Sequence, residues 1–129
     1  MGINNSTTEK FVSFFDDCVR VGILWIYRDW RTEDRCPWYS STLVESSSWH
    51  LSVTCGGSKI WEIKVLAKEG SKTCPLDQHR DPNFGHDALK ERVGFEGEFR
   101  DGELYFEDVV EFYRVATELL GMFSCTPNQ

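Results

Sequence analysis

Long apolar runs are missing from this 129-residue chain. The longest, Val21 to Tyr27, is seven residues. A helix needs about twenty to cross a bilayer, so no membrane span is expected. There is no C-x-x-C, no H-E-x-x-H, no G-x-S-x-G and no phosphate-cradling glycine loop. The local signatures of structural zinc, zinc peptidases, serine hydrolases and P-loop enzymes are therefore missing. Basic residues are outnumbered, 14 against 21 acids, and they are scattered. The net charge of −7 repels phosphate backbones, so nucleic acid is not an expected partner. Internal repeats and low-complexity tracts are also lacking.

Five cysteines, Cys18, Cys36, Cys55, Cys74 and Cys125, are odd in number and widely spaced. Without a signal peptide, that pattern predicts no disulfide framework and a reducing, cytoplasmic setting. Met1 to Ser6 fits the short N-myristoylation pattern. So brief a motif arises readily by chance, and an unmodified Gly2 is expected.

The length suits one domain with a substantial core. Residues 1–6 read as a loose start. A helix follows from Thr7 or Thr8 to about Val19, burying Phe11, Phe14, Phe15 and Cys18. Residues Val21–Tyr27 allow two readings. Gly22 and the β-branched residues favour a buried central strand. The spacing of Phe11, Phe14, Cys18, Val21 and Trp25 permits the helix to continue instead. The strand is the favoured expectation. A charged loop, 28–35, carries Trp30 either as an anchor folded back on the core or as an exposed contact residue, and Trp38 to Glu45 alternates as a strand. Ser46–Ser48 is a turn. A hairpin over Trp49–Ala67 turns at Gly56-Gly57-Ser58. It pairs Val53 with Trp61, Leu51 with Ile63 and Trp49 with Val65, and sets His50 opposite Lys64.

An irregular loop spans 68–85, and a short helix covers His86 to Arg92. The stretch Val93–Gly121 is the most legible. Asp101-Gly102 is a strong two-residue hairpin signal. It pairs Phe99 with Leu104 and Arg100 with Glu103, then Glu98 with Tyr105 and Gly97 with Phe106. The strand face of Val93, Phe95, Phe99, Leu104 and Phe106 is apolar, and the gap at Gly97 awaits a neighbouring ring. Asp108 caps a helix, with Glu111 at the capping-box position and Gly121 as the C-terminal stop. The stripe Val109, Phe112, Ala116, Leu119 and Phe123 is its buried face. The element order α-β-β-β-β-α-β-β-α predicts an α+β fold. A mostly antiparallel sheet of about five or six strands carries the N- and C-terminal helices on one face.

Chemistry is harder to place. The loop collects Cys74, Asp77, His79, Asp81, His86 and Asp87. The spacings are wide for zinc, so no metal or other cofactor is expected, and Cys74, His79 and His86 are the weak candidates. His79-Arg80-Asp81 lacks the rest of a kinase catalytic loop. What stands out is an aromatic-plus-acid theme in a chain with eighteen aromatics, five of them Trp. Trp25, Trp38, Trp49 and Trp61 fall on expected neighbouring strands, with Glu62, Glu96, Glu98 and Tyr105 close by. Such a set suits cation–π and charge contacts. The leading expectation is a non-enzymatic acidic protein that engages a basic protein partner, in the manner of an inhibitor or immunity factor. A small-molecule binder with an aromatic and acidic pocket is the second reading, and an enzyme or metal site on the 74–87 loop is the third. The oligomeric state is open, a homodimer included.

Overall fold

The computed structural model describes residues 5–27, 38–56, 60–69, 71–74, 85–97, 99–100 and 102–124. The order is α1 (Asn5–Tyr27), β1 (Trp38–Glu45), β2 (Trp49–Gly56), β3 (Ile60–Glu69), β4 (Lys72–Cys74), α2 (His86–Val93), β5 (Phe99–Arg100), β6 (Glu103–Phe106) and α3 (Val109–Ser124). The sheet runs β1-β2-β3-β6-β5, with β4 pairing the far half of β3, and every pair is antiparallel. α1 and α3 pack on one face of it. The α+β architecture is the one expected. The letter string matches as well, although one of its strands lies elsewhere.

That strand is Val21–Tyr27, which forms the last seven residues of α1 and not a strand. The apolar spacing from Phe11 to Trp25 continues the helix, and it outweighs the roughly 1 kcal/mol that Gly22 costs. Trp25 therefore belongs to a helix. No helix among the described residues is long and apolar enough to cross a membrane. Cys18, on the buried stripe of α1, is joined to Cys55 of β2 by a disulfide, Cα to Cα 6.1 Å. This overturns the expectation of unpaired cysteines. The two lie 37 residues apart, and only the packing of helix on sheet brings them together. Cys36 and Cys125 lie outside the described residues.

The second hairpin keeps its predicted faces but slips by two. Val53 pairs with Ile63, Leu51 with Val65, Trp49 with Ala67 and Cys55 with Trp61. The pair Gly56↔Ile60 extends the ladder, so the three-residue loop is 57–59 and His50 faces Leu66. Side-chain direction repeats every two residues, so a two-residue slip preserves the buried set. The cause is Gly56, which belongs to the strand and not the turn. A Cβ there would lie 2.1 Å from the Trp38 ring.

The loop expected over 68–85 is shorter. β3 runs to Glu69, and β4 returns beside it with Ala67↔Cys74 and Lys68↔Thr73. Val93, expected in a strand, is the buried last residue of α2. Gly94 (φ 66°) ends that helix, and the Gly94 and Phe95 N–H groups donate to the Glu91 and Lys90 carbonyls at 3.3 and 3.0 Å. The Asp-Gly hairpin pairs as predicted, Phe99↔Leu104 and Arg100↔Glu103. Gly102 takes φ 81°, which favours glycine. Its carbonyl accepts from Val65 N–H at 2.7 Å, seating the turn on β3. The described ladder stops at Phe99, and no described strand pairs with Gly97. The Phe95 ring occupies the space above it and meets Phe106 at 5.0 Å. The Glu98 pairing lies outside the described residues.

Asp108 caps α3, its Oδ1 accepting from Val110 N–H at 3.0 Å. Glu111 does not close the capping box. Its carboxylate binds Arg114, which also donates to the Val93 and Gly94 carbonyls at 2.7 and 3.3 Å and pairs with Glu118 at 3.5 Å. α3 thereby clamps the end of α2. The helix also runs through Gly121 to Ser124, because Leu119, Leu120 and Phe123 continue the buried stripe.

The core lies between the helices and one sheet face. Leu51, Val53, Ile63, Val65 and Leu104 are its sheet layer, and Phe112, Val115, Ala116 and Leu119 its α3 layer. All buried residues are apolar among those described.

Candidate functional site

The helices cover one sheet face, and the register lays out the other. Its cross-strand rows are Trp38 and Gly56; then Ser40, Thr54, Glu62 and Tyr105; then Thr42, Ser52, Lys64 and Glu103; then Glu45, His50 and Leu66. Opposed residues on paired strands share a face. The face is a hydroxyl-rich plate bounded by an exposed aromatic ring at each side.

Trp38 is 60% exposed although it sits on a strand. Its ring lies across Gly56, the position where a side chain would collide with it. Tyr105, on β6, is 53% exposed, and its hydroxyl donates to Glu103. Strand β1 is three strand steps from β6, which sets the two strands about 14 Å apart at ~4.8 Å per step. Between them Ser40 Oγ and Thr54 Oγ1 are hydrogen-bonded at 2.9 Å.

Glu62 is the carboxylate beside Tyr105. Partial burial, together with repulsion from Glu103, raises its pKa, and Lys64 offsets part of that. The acids on either side are committed. Glu103 accepts from Tyr105 and lies 3.9 Å from Lys64 Nζ. Glu45 accepts from Lys68 Nζ at 2.6 Å and meets His50 Nδ1 at 2.5 Å. The Lys68 and His50 bonds hold the Glu45 carboxyl below its usual range. Glu62 has no hydrogen bond or ion pair with any described residue.

A raised carboxyl pKa has a definite sign. The folded state binds the Glu62 proton more tightly than the unfolded state does. Stability therefore falls as pH rises from the ordinary carboxyl value through the raised one, and above that the cost is constant. Glu62→Gln removes the cost. We expect its thermal midpoint to exceed that of the wild type at about pH 7 and the difference to close toward about pH 4. Parallel melts at the two pH values check this, and a gain that persists in acid would contradict the assignment.

Of the aromatic and acidic residues singled out from sequence, the structure brings Trp38, Glu62 and Tyr105 onto this one plate. Trp49 and Trp61 turn the other way. Trp49 is buried against Phe123 at 4.6 Å, and Trp61 packs on Phe112 at 4.9 Å and Phe15 at 5.8 Å. Trp49 thus belongs to the core, and Trp61 packs against it. Glu96 is exposed beyond α2, away from the sheet ladder. Trp25 is on α1, and Glu98 lies outside the described residues. Sequence reasoning missed Ser40, Thr54 and Gly56. The alternation Trp38-Ser40-Thr42 beside Ser52-Thr54-Gly56 was the signal.

The 74–87 set does not assemble among the described residues. Cys74 is a half-buried free thiol on β4, Asp87 is exposed on α2, and His86 begins that helix. Asp77, His79 and Asp81 lie outside the described residues. No group of three metal-ligating side chains forms among those described. A groove along the outer side of α1 is lined by Glu9, Val12, Asp16 and Arg20, with Asp17 bonded to Arg20. It is the surface of a single helix.

The chain matches no protein-family model, no curated protein and no solved structure.

Proposed function

We propose that this is a non-enzymatic binding protein whose open sheet face engages a basic segment of a protein partner. The observation that carries the reading is the plate itself, where Trp38 and Tyr105 bound the two sides and Glu62, beside Tyr105, has no ion pair among the described residues. A guanidinium or ammonium group gains on both counts, from the ring faces and from the carboxylate. At about 3.3 Å per residue, an extended segment of roughly five residues covers the distance between β1 and β6. The net charge of −7 adds long-range steering toward a basic partner. With Cys18 and Cys55 joined, the cysteine argument for a cytoplasmic location lapses, and an oxidising compartment fits the bond better.

The test uses an alternating Arg-Ser octapeptide as probe and its Glu-Ser counterpart as control, by calorimetry. We expect the basic peptide alone to bind, and Trp38→Ala with Tyr105→Ala to weaken it by about tenfold or more. Glu9→Gln with Asp16→Asn, on the helix side, should leave the affinity unchanged. No binding, or binding lost only in the helix-side variant, would overturn the reading.

A further inference from the structure

We infer that Ser52 is an acyl-acceptor site, its hydroxyl activated through His50 and Glu45 to take one acyl group per chain from a thioester. The inference is independent of the peptide reading, because it rests on other rows of the open face. His50 and Ser52 stand two apart on β2, so both side chains project to that face. Glu45 of β1 pairs with His50. His50 Nδ1 meets Glu45 Oε2 at 2.5 Å, and His50 Nε2 meets Ser52 Oγ at 3.2 Å. Lys68 Nζ donates to the other carboxylate oxygen, Glu45 Oε1, at 2.6 Å. These partners set the direction of the protons. The Lys68 and His50 bonds hold the Glu45 carboxyl below its usual range, so it is ionised and only accepts. Nδ1 therefore carries the ring hydrogen. In the neutral ring Nε2 then holds a lone pair, and the Ser52 hydroxyl donates to it. Carboxylate, imidazole and hydroxyl stand in the order that activates serine nucleophiles on unrelated folds.

The step balances without an oxidant or reductant. Ser52 Oγ attacks the thioester carbonyl carbon while His50 Nε2 takes the hydroxyl proton. The C–O bond forms, the C–S bond breaks, and the leaving thiolate takes that proton as a thiol. A thioester is the fitting donor, because its carbonyl is more reactive than that of the serine ester left behind. The surroundings of Ser52 then keep the acyl group in place. β2 lies between β1 and β3, and Ser52 pairs with Thr42 on one side and Lys64 on the other. The backbone N–H groups beside it serve the two ladders and do not form an oxyanion hole. Hydrolysis of an unactivated serine ester needs that stabilisation. The chain therefore acts once, as an acceptor, and does not turn over.

The test uses the full chain with phenyl thioacetate as the donor, its free thiols first capped with iodoacetamide and no reductant added. Peptide mass mapping is expected to find one stable acetyl group, on Ser52. Ser40 is the internal control. It is exposed where Ser52 is half-buried, and its Oγ bonds Thr54 Oγ1 instead of an imidazole. Access alone favours Ser40, whereas the base favours Ser52, and we expect Ser52 to react faster by about tenfold or more. His50→Gln should slow Ser52 by about tenfold or more. Glu45 is a positioning residue, and Glu45→Gln tests it. Lys68 keeps the amide oxygen, which turns the amide N–H toward Nδ1 and moves the ring proton to Nε2, facing Ser52. Imidazole nitrogen shifts should report Nδ1–H in the wild type and Nε2–H in this variant, with the Ser52 rate again down by about tenfold or more. Acetylation of Ser40 as fast as Ser52, or a Ser52 rate unchanged in His50→Gln, would overturn the inference. So would an Nε2–H ring in the wild type, or thiol release through Ser52 that continues beyond one equivalent.

Discussion

Replacing both Cys18 and Cys55 with alanine is expected to lower the free energy of unfolding by about 4 kcal/mol, the chain-entropy estimate for a loop of this length. The bond closes 37 residues of sequence, a span that covers the segment between α1 and β1, the whole of β1 and the first hairpin turn. Without the bond the unfolded chain regains that freedom, and the native state gains nothing in return. A loss of this size is a large part of the total stability of a domain of this class, commonly 5–15 kcal/mol. Both sulfurs are buried within the core, so each alanine also leaves a small void. Reductant should bring the wild type down toward the variant and leave the variant itself unmoved. Denaturant unfolding in the two conditions measures both effects. A double variant within about 1 kcal/mol of the wild type would contradict a formed, stabilising bond.

Phe112→Ala is expected to cost about 3–5 kcal/mol. Its ring is fully buried and is the joint between layers. It meets Trp61 of β3 at 4.9 Å, Phe106 of β6 at 5.8 Å, and Phe11 and Phe15 of α1 at 6.4 Å each. Truncation leaves a hole bounded by three elements that cannot all move inward, because interiors are close-packed and their neighbours are held elsewhere. Phe112→Leu keeps most of the volume and should cost about half as much or less. Val110→Ala, two residues away but on the exposed side of the same helix, should stay within about 0.5 kcal/mol. Equal losses at 110 and 112 would mean that α3 packs by another face.

The contrast between these residues shows what the sequence carries and what it does not. The stripe of α3 is written locally, in apolar residues at helical spacing, so Phe112 and Leu119 were legible as core. The hairpin register at Phe99↔Leu104 was legible because Asp-Gly demands one turn geometry. β1 was legible from its alternation between a proline and a serine turn. In the β2–β3 hairpin the faces were readable and the register was not. Parity alone sets the faces, whereas the exact pair depends on where Gly56 lies relative to the Trp38 ring, a contact made across strands. Local propensity misled at Val21–Tyr27, where continuing an already buried helix outweighed one glycine and its β-branched neighbours. The disulfide and the Glu62–Tyr105 adjacency are non-local. The first needs α1 laid on β2, and the second needs β6 beside β3 across more than forty residues of chain. No spacing rule encodes either. The same limit split the tryptophans. Trp38, Trp49 and Trp61 all sit on strands, and cross-strand partners tell their faces apart: Trp38 pairs with Gly56 on the open face, whereas Trp49 pairs with buried Ala67 and Trp61 with buried Cys55.

The open sheet face is therefore the product of one asymmetry, in which the helices serve one side and leave a rigid, hydroxyl-lined plate on the other. A backbone already ordered in a sheet loses little entropy on binding, which suits recognition by a few anchoring rings. The acids on the outer sides of α1 and α3 are the competing basic-partner surface. Glu9 and Asp16 on α1 and Glu118 on α3 are exposed, and charge alone does not distinguish them from the plate.

Amide chemical-shift mapping distinguishes the two faces directly. On adding the Arg-Ser octapeptide to the isotope-labelled full chain, the largest perturbations are predicted at Trp38, Ser40, Thr54, Glu62 and Tyr105, with the Trp38 indole N–H among them. Shifts concentrated instead at Glu9, Asp16 and Glu118, with the plate silent, would contradict it.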